Sequence, residues 1–179
     1  MRGQLRLLLQ SLAAFLLRAG RADEAAAAAA RAATLAREAG DTALHAMALS
    51  LRADALHRAG DPAAALRAAD EAIAIQHARE DAMEALTLLR RAEILEALGR
   101  PEGALADARA AKVAADRRGE RDSAFGAALF EAIHLTASGA APRELLDRAL
   151  REAEASGVTF RERTKNLAER ARAWLAEHA

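Results

Sequence analysis

Asp54, His57, Glu93 and Glu96 form two pairs of one pattern: an acid, then an imidazole or second acid three positions on, recurring thirty-nine residues later. Positions three apart share a helix face. Brought together, three carboxylates and an imidazole offer ligands for a divalent cation, an anionic surface for the Lys or Arg side chains of a peptide, or groups for acid–base work. The plain alternative is a solvated polar face. What decides between them is whether the two segments stack side by side.

The remaining residue types narrow the chemistry further. The 179-residue chain has no cysteine and no tyrosine, so thiolate metal sites, disulfides and thiol redox chemistry have no reagent. It carries neither a phosphate-cradling glycine loop nor a nucleophile elbow, and Ser123 and Thr136 stand near no evident base. His45, His77, His134 and His178 are scattered without the i, i+4 spacing of a two-histidine metal site. The expectation is a non-enzyme without metal or cofactor. Lys+Arg 26 against Asp+Glu 26 leaves no net charge, so the cationic field of a nucleic-acid binder is missing and a protein or peptide partner is expected instead. Arg2 and Arg6 before Leu7, Leu8 and Leu9 resemble a secretory signal, but Gln10 and Ser11 interrupt the apolar run. No run approaches the ~20 apolar residues that span a bilayer. A cytoplasmic chain with no membrane contact is the expectation.

The elements that position these side chains are legible from glycines. Gly20, Gly60, Gly99 and Gly139 recur at intervals of about forty residues, each preceded seven positions earlier by Ala13, Ala53, Ala92 or Ala132 and four positions earlier by Leu16, Leu56, Leu95 or Leu135. After the glycines, alanines return at plus five (Ala25, Ala65, Ala104), plus nine (Ala29, Ala69, Ala108) and plus twelve (Ala32, Ala72, Ala111), which keeps one helix face. The fourth repeat carries one extra residue in its turn, since Leu145 and Ala149 fall one place late. Pro62, Pro101 and Pro142 follow the turns, where a proline loses no intrahelical bond. Gly40 and Gly119 suit helix C-termini, and Asp61 and Asp81 suit N-caps, the latter with Glu84 at capping-box spacing.

The reading is eight helices, at about 3–19, 22–39, 42–59, 62–79, 82–98, 101–118, 122–138 and 142–156. They pair into repeats over about 1–40, 41–80, 81–120 and 121–157. A ninth, at about 160–178, has Thr159 and Glu162 at capping-box spacing and an apolar stripe of Leu167, Ala171, Trp174 and Leu175 opposite Arg161, Arg163, Lys165 and Arg170. It is expected to cap the stack, making one domain over 1–179.

Glycine turn, fixed alanines and first-helix leucines, as in Arg18-Ala19-Gly20 through Asp23-Glu24-Ala25, resemble the tetratricopeptide repeat over nearly the whole chain. The period exceeds the family's usual 34, as in the extended repeats of kinesin light chains and several bacterial signalling regulators. The resemblance implies an all-α, right-handed α-α superhelix whose first helices line a concave groove, and an activity of scaffolding or peptide recognition. The family's clamp of asparagines and lysines on a C-terminal carboxylate has no counterpart, because Asn166 is the only asparagine and Lys112 and Lys165 the only lysines.

Carried onto this sequence, the groove takes in Gln10, Met47, Ser50, Asp54, His57, Leu89, Arg90, Glu93, Glu96, Phe130 and Ile133, with an acidic centre that suits a partner bearing basic side chains. Leu5, Leu8, Leu12 and Phe15 leave the first helix apolar beyond the stripe a two-layer solenoid covers. A preceding domain, a second copy in a homodimer or a partner helix are the candidate occupants. Three functions remain: an interaction scaffold, a ligand-responsive regulatory domain of a signalling or transcription regulator, and a self-assembly module.

Overall fold

The computed structural model describes residues 2–178. Among them the elements are α1 (Arg2–Arg18), α2 (Ala22–Glu38), α3 (Thr42–Arg58), α4 (Pro62–Ala78), α5 (Glu84–Ala97), α6 (Pro101–Arg118), α7 (Arg121–Ala137), α8 (Arg143–Ala155) and α9 (Glu162–Glu177). Consecutive helices pair antiparallel and stack into a right-handed solenoid, with α1, α3, α5 and α7 on the concave side.

Alanine sets the helix spacing. Ala13, Ala53 and Ala92 are fully buried, as are Ala25, Ala65 and Ala104 and the plus-twelve set Ala32, Ala72 and Ala111. A buried methyl contributes only about 0.8 kcal/mol, so stability is distributed over many small contacts. Large side chains concentrate at the C-terminal end, where Leu89, Leu129, Phe130, Leu146, Leu150 and Leu167 share one cluster.

The helix ends follow the sequence, with three departures. At the first turn the Gly20 and Arg21 amides donate to the carbonyls of Leu17 and Leu16, a closure that needs the left-handed backbone Gly20 supplies at φ 75°. At the equivalent end of α4, Glu80 is forced to φ 50°. Asp41 and Asp61 cap α3 and α4 by accepting from the Leu44 and Ala64 amides. The capping box expected at Asp81 and Glu84 does not form. Asp81 accepts from the Met83 amide in a turn, α5 starts two residues late, and Glu84 bonds His77. Thr159 likewise caps nothing: α9 starts after extended Arg161 with no side-chain cap. Pro142 stands before the first turn of α8 instead of within it, unlike Pro62 and Pro101. The extra residue in the fourth turn is present, since the Ala141 amide reaches back six residues to Leu135 where Arg21, Asp61 and Arg100 reach back five.

The main surprise is α9. In the regular stack each first helix packs both on its own hairpin partner and on the second helix of the preceding hairpin, as α3 does on α4 and α2. Helix α9 instead leans more on α7 than on α8, which swings it towards the concave face. Gly126 on α7 makes the crossing possible: a Cβ there would lie 2.9 Å from Thr164 Oγ1 and 3.1 Å from Leu89 Cδ2. Buried Thr164, Leu167, Ala168 and Ala171 form the docked stripe.

Candidate functional site

Helix α9 brings two arginines, two turns apart, onto the acidic residues of the groove. Arg163 binds Glu93 directly and lies 3.5 Å from Asp54 Oδ2. Arg170 meets Glu96 Oε1 at 2.8 Å. The four groups read from sequence as one cluster are therefore held apart by guanidinium groups. Among the described residues no three His, Asp or Glu side chains converge as a metal-holding set. Asp54, His57 and Glu93 do line a common recess of about 200 Å3, with Arg163 and Arg170 in its wall, and His57 Nδ1 is buried there without a hydrogen bond.

Asp54 is the electrostatic centre. Burial raises its carboxyl pKa, but Arg90, Arg163 and Arg58 outweigh that and hold it below the ordinary carboxylate value. Arg58 Nε donates to Oδ1 at 2.9 Å, and Arg90 lies 3.5 Å from Oδ2. Arg90 also donates to Ser50 Oγ at 2.7 Å, and Ser50 shares a 2.7 Å bond with Thr87. Burial lowers the Arg90 pKa to about 10, with Asp54 opposing and Arg163 adding to the fall.

A second node lies one turn along. His134 Nε2 faces Glu96 Oε1 at 3.2 Å, while Nδ1 donates to the Phe130 carbonyl at 2.9 Å. Both ring nitrogens thus face acceptors, which favours the imidazolium. The bond to Glu96 raises the His134 pKa. In return the His134 bond, with Arg170, lowers Glu96 to about 2 against the effect of burial.

The expected groove residues divide sharply. Asp54, His57 and Glu93 line one recess, Arg90 lies 3.5 Å from Asp54 Oδ2, Glu96 stands apart with Arg170 and His134, and Gln10 donates to the Met47 sulfur between α1 and α3. Ser50, Leu89, Phe130 and Ile133 do not present themselves to a partner, because all four are buried. Leu89 and Phe130 belong to the cluster that includes Leu167 of α9, and Ser50 is enclosed in the hydroxyl pair with Thr87. Residues the sequence reading did not place in the groove are Arg58, His134, Arg163 and Arg170. The seven-residue spacing of Arg163 and Arg170, which flanks buried Leu167, was the available signal.

Ahead of α9 the groove stays open. A cavity of about 710 Å3 has Ala14, Leu17, Leu51 and Leu86 as its floor, with arginines from α1, α3, α5 and α9 around it. On the first helix Leu5, Leu8, Leu12 and Phe15 are 42–66% exposed, as the sequence anticipates. Among the described residues no helix is long and apolar enough to cross a membrane.

Comparison with known proteins supports the architecture. No family model matches the chain, and no curated protein matches it. Among solved structures, one crystal structure is similar at a TM-score of 0.70 and 16% identity, covering 99% of this chain and 98% of that one. It is described as a kinesin light chain from Podosopora anserina with nearly identical TPR-like repeats. At that identity the likeness establishes the fold: the chain is a TPR-like helical solenoid.

Proposed function

We propose that the chain is a protein-interaction module whose concave carboxylates grip an arginine-bearing helix, and that α9 is the helix the chain itself supplies. The observation that carries this reading is the seating of Arg163 and Arg170 on Asp54, Glu93 and Glu96. It accords with a fold whose members generally serve as interaction scaffolds. The docked stripe holds one large buried residue, Leu167, among Thr164, Ala168 and Ala171. A partner helix with arginines seven residues apart and a leucine between them meets the same acceptors.

The test is binding in trans. A labelled synthetic peptide of residues 158–178 is titrated against the full chain and against an Arg163→Ala/Arg170→Ala variant, read by fluorescence anisotropy. The peptide binds the variant at least about tenfold tighter, and Glu93→Gln/Glu96→Gln added to that variant abolishes the gain. Binding indifferent to the glutamates rejects the reading.

A second reading rests on α1. Leu5, Leu8, Leu12 and Phe15 follow a 3-4-3 spacing, the pattern of a coiled-coil seam, and no charged residue occupies the stripe itself. Such a face suits the same face of a second copy. Light scattering on the chain and on a Leu5→Glu/Leu8→Glu/Leu12→Glu variant decides it: a dimer that becomes a folded monomer is expected, and a monomer in both rejects it.

A further inference from the structure

We infer that the open cavity between α1, α3, α5 and the start of α9 is a binding site for a small amphiphilic carboxylate, its head at Arg58, Arg90 and Arg163 and its apolar body on Leu17, Leu51 and Leu86. This goes beyond the grip on an arginine helix and concerns the half of the groove that α9 leaves free.

Charge is the first argument. Five arginines line the cavity, Arg18, Arg58, Arg90, Arg161 and Arg163, against only two carboxylates, Asp54 and Glu162. Three of those guanidinium groups converge on the single Asp54 carboxylate, and Arg163 divides itself between Asp54 and Glu93. The cluster at Asp54 is therefore short of negative charge, although the chain as a whole is neutral.

A second argument is the fixed position of the Arg90 guanidinium. Its side chain is 14% exposed, it donates to Ser50 Oγ at 2.7 Å and it lies 3.5 Å from Asp54 Oδ2, so it stands in place beside the cavity with Arg58 and Arg163 to meet a second carboxylate.

The third argument is the N-terminal end of α9, which borders the cavity through Arg161, Glu162 and Arg163 and carries no side-chain cap. The positive end of the helix dipole favours an anion there, although the Asp122 carboxylate already accepts from the Arg161 amide at 3.0 Å. The cavity is bounded on one side by this end of α9. Its volume of about 710 Å3 falls in the range of small-ligand pockets. The floor of Ala14, Leu17, Leu51 and Leu86 offers nothing to a wholly polar anion and accounts for the apolar body.

Calorimetric titration of the full chain with octanoate, octan-1-ol and octylammonium tests the assignment. Octanoate is expected to bind one to one, at least about tenfold tighter than octan-1-ol and with weaker affinity at higher salt, while octylammonium gives no saturable heat. Arg58→Gln, at a half-exposed position that leaves the fold intact, and Arg90→Met each weaken octanoate at least about tenfold. Arg109→Gln, on the pair with Glu131, leaves it unchanged. Equal affinity for the alcohol, binding unaffected by Arg58→Gln, or no saturation below about 10 mM overturns the proposal. So does an acidic leucine-containing peptide that binds the same arginines and is not displaced by octanoate, which assigns the cavity to a protein segment.

Discussion

Arg163 on α9 lies 3.5 Å from Asp54 on α3 and at the same time holds Glu93 on α5. One side chain from the last helix thereby joins the second and third hairpins, which the backbone places far from it in sequence. All three groups are largely buried, with side-chain exposures of 12%, 8% and 22%. Replacing the cation leaves Glu93 without its arginine, a loss of about 1–3 kcal/mol for a charged group in a partly buried site. Arg163→Met should therefore lower the urea midpoint and speed amide exchange in α9 first. In a double-mutant cycle, Glu93→Gln costs less in the Arg163→Met background than in the native chain; equal costs would mean the pair is not coupled.

The Glu96–His134 pair predicts a pH optimum. His134 has its pKa raised in the folded chain, so its contribution is complete below the unfolded value of 6.5 and is lost as pH rises through the folded value. Glu96 is lowered to about 2, so its contribution is complete above its ordinary 4.5 and is lost as pH falls towards 2. Both groups stabilise fully between about 4.5 and 6.5. The melting-temperature difference between the native chain and His134→Gln should be larger at pH 5.5 than at pH 8.5. A difference that does not change with pH contradicts the imidazolium assignment.

Gly126 should tolerate no branched side chain. Although glycine within a helix is unfavourable by about 1 kcal/mol relative to alanine, a β-carbon here meets Thr164 and Leu89 at once. Gly126→Val is expected to cost about 1–3 kcal/mol through overpacking. Loss of exchange protection confined to α9 would show that it is the crossing, and not α7, that gives way.

At Glu80 the opposite outcome is expected. Its φ of 50° is a left-handed conformation that costs a non-glycine residue about 1–2 kcal/mol, and Arg118 binds its backbone carbonyl, not its side chain. Glu80→Gly should raise the melting temperature by a few degrees, while Gly119→Ala, at φ 69°, lowers it. A fall on Glu80→Gly would mean that the side chain matters in some further way.

The glycine and alanine register made the hairpins legible because each mark has one physical cause: a left-handed turn residue, or a side chain small enough for close helix approach. Helix bounds accordingly fall within about two residues of the expected ones. The groove was legible only as a register. Equivalent offsets correctly put Asp54, Glu93 and Glu96 on one face, but repeat arithmetic describes a stack in which the final helix continues the pattern. Helix α9 departs from it, and only Gly126, where the other repeats carry Met47 and Leu86 at the same offset, hints at the crossing. That departure buries Leu89, Phe130 and Ile133, and it surrounds with arginine the acids that sequence left bare.

The alanine interfaces also bear on how such a chain can change over generations. Where both sides of a contact are already methyl groups, nearly every substitution adds volume, and a single enlargement separates two helices along their length. Random variation at Ala25, Ala65, Ala104, Ala32, Ala72 and Ala111 should be purged far more strictly than at the leucines, which can exchange among themselves. The fold of such a solenoid thus depends on which residues are small, and two such chains can share it while sharing few other letters.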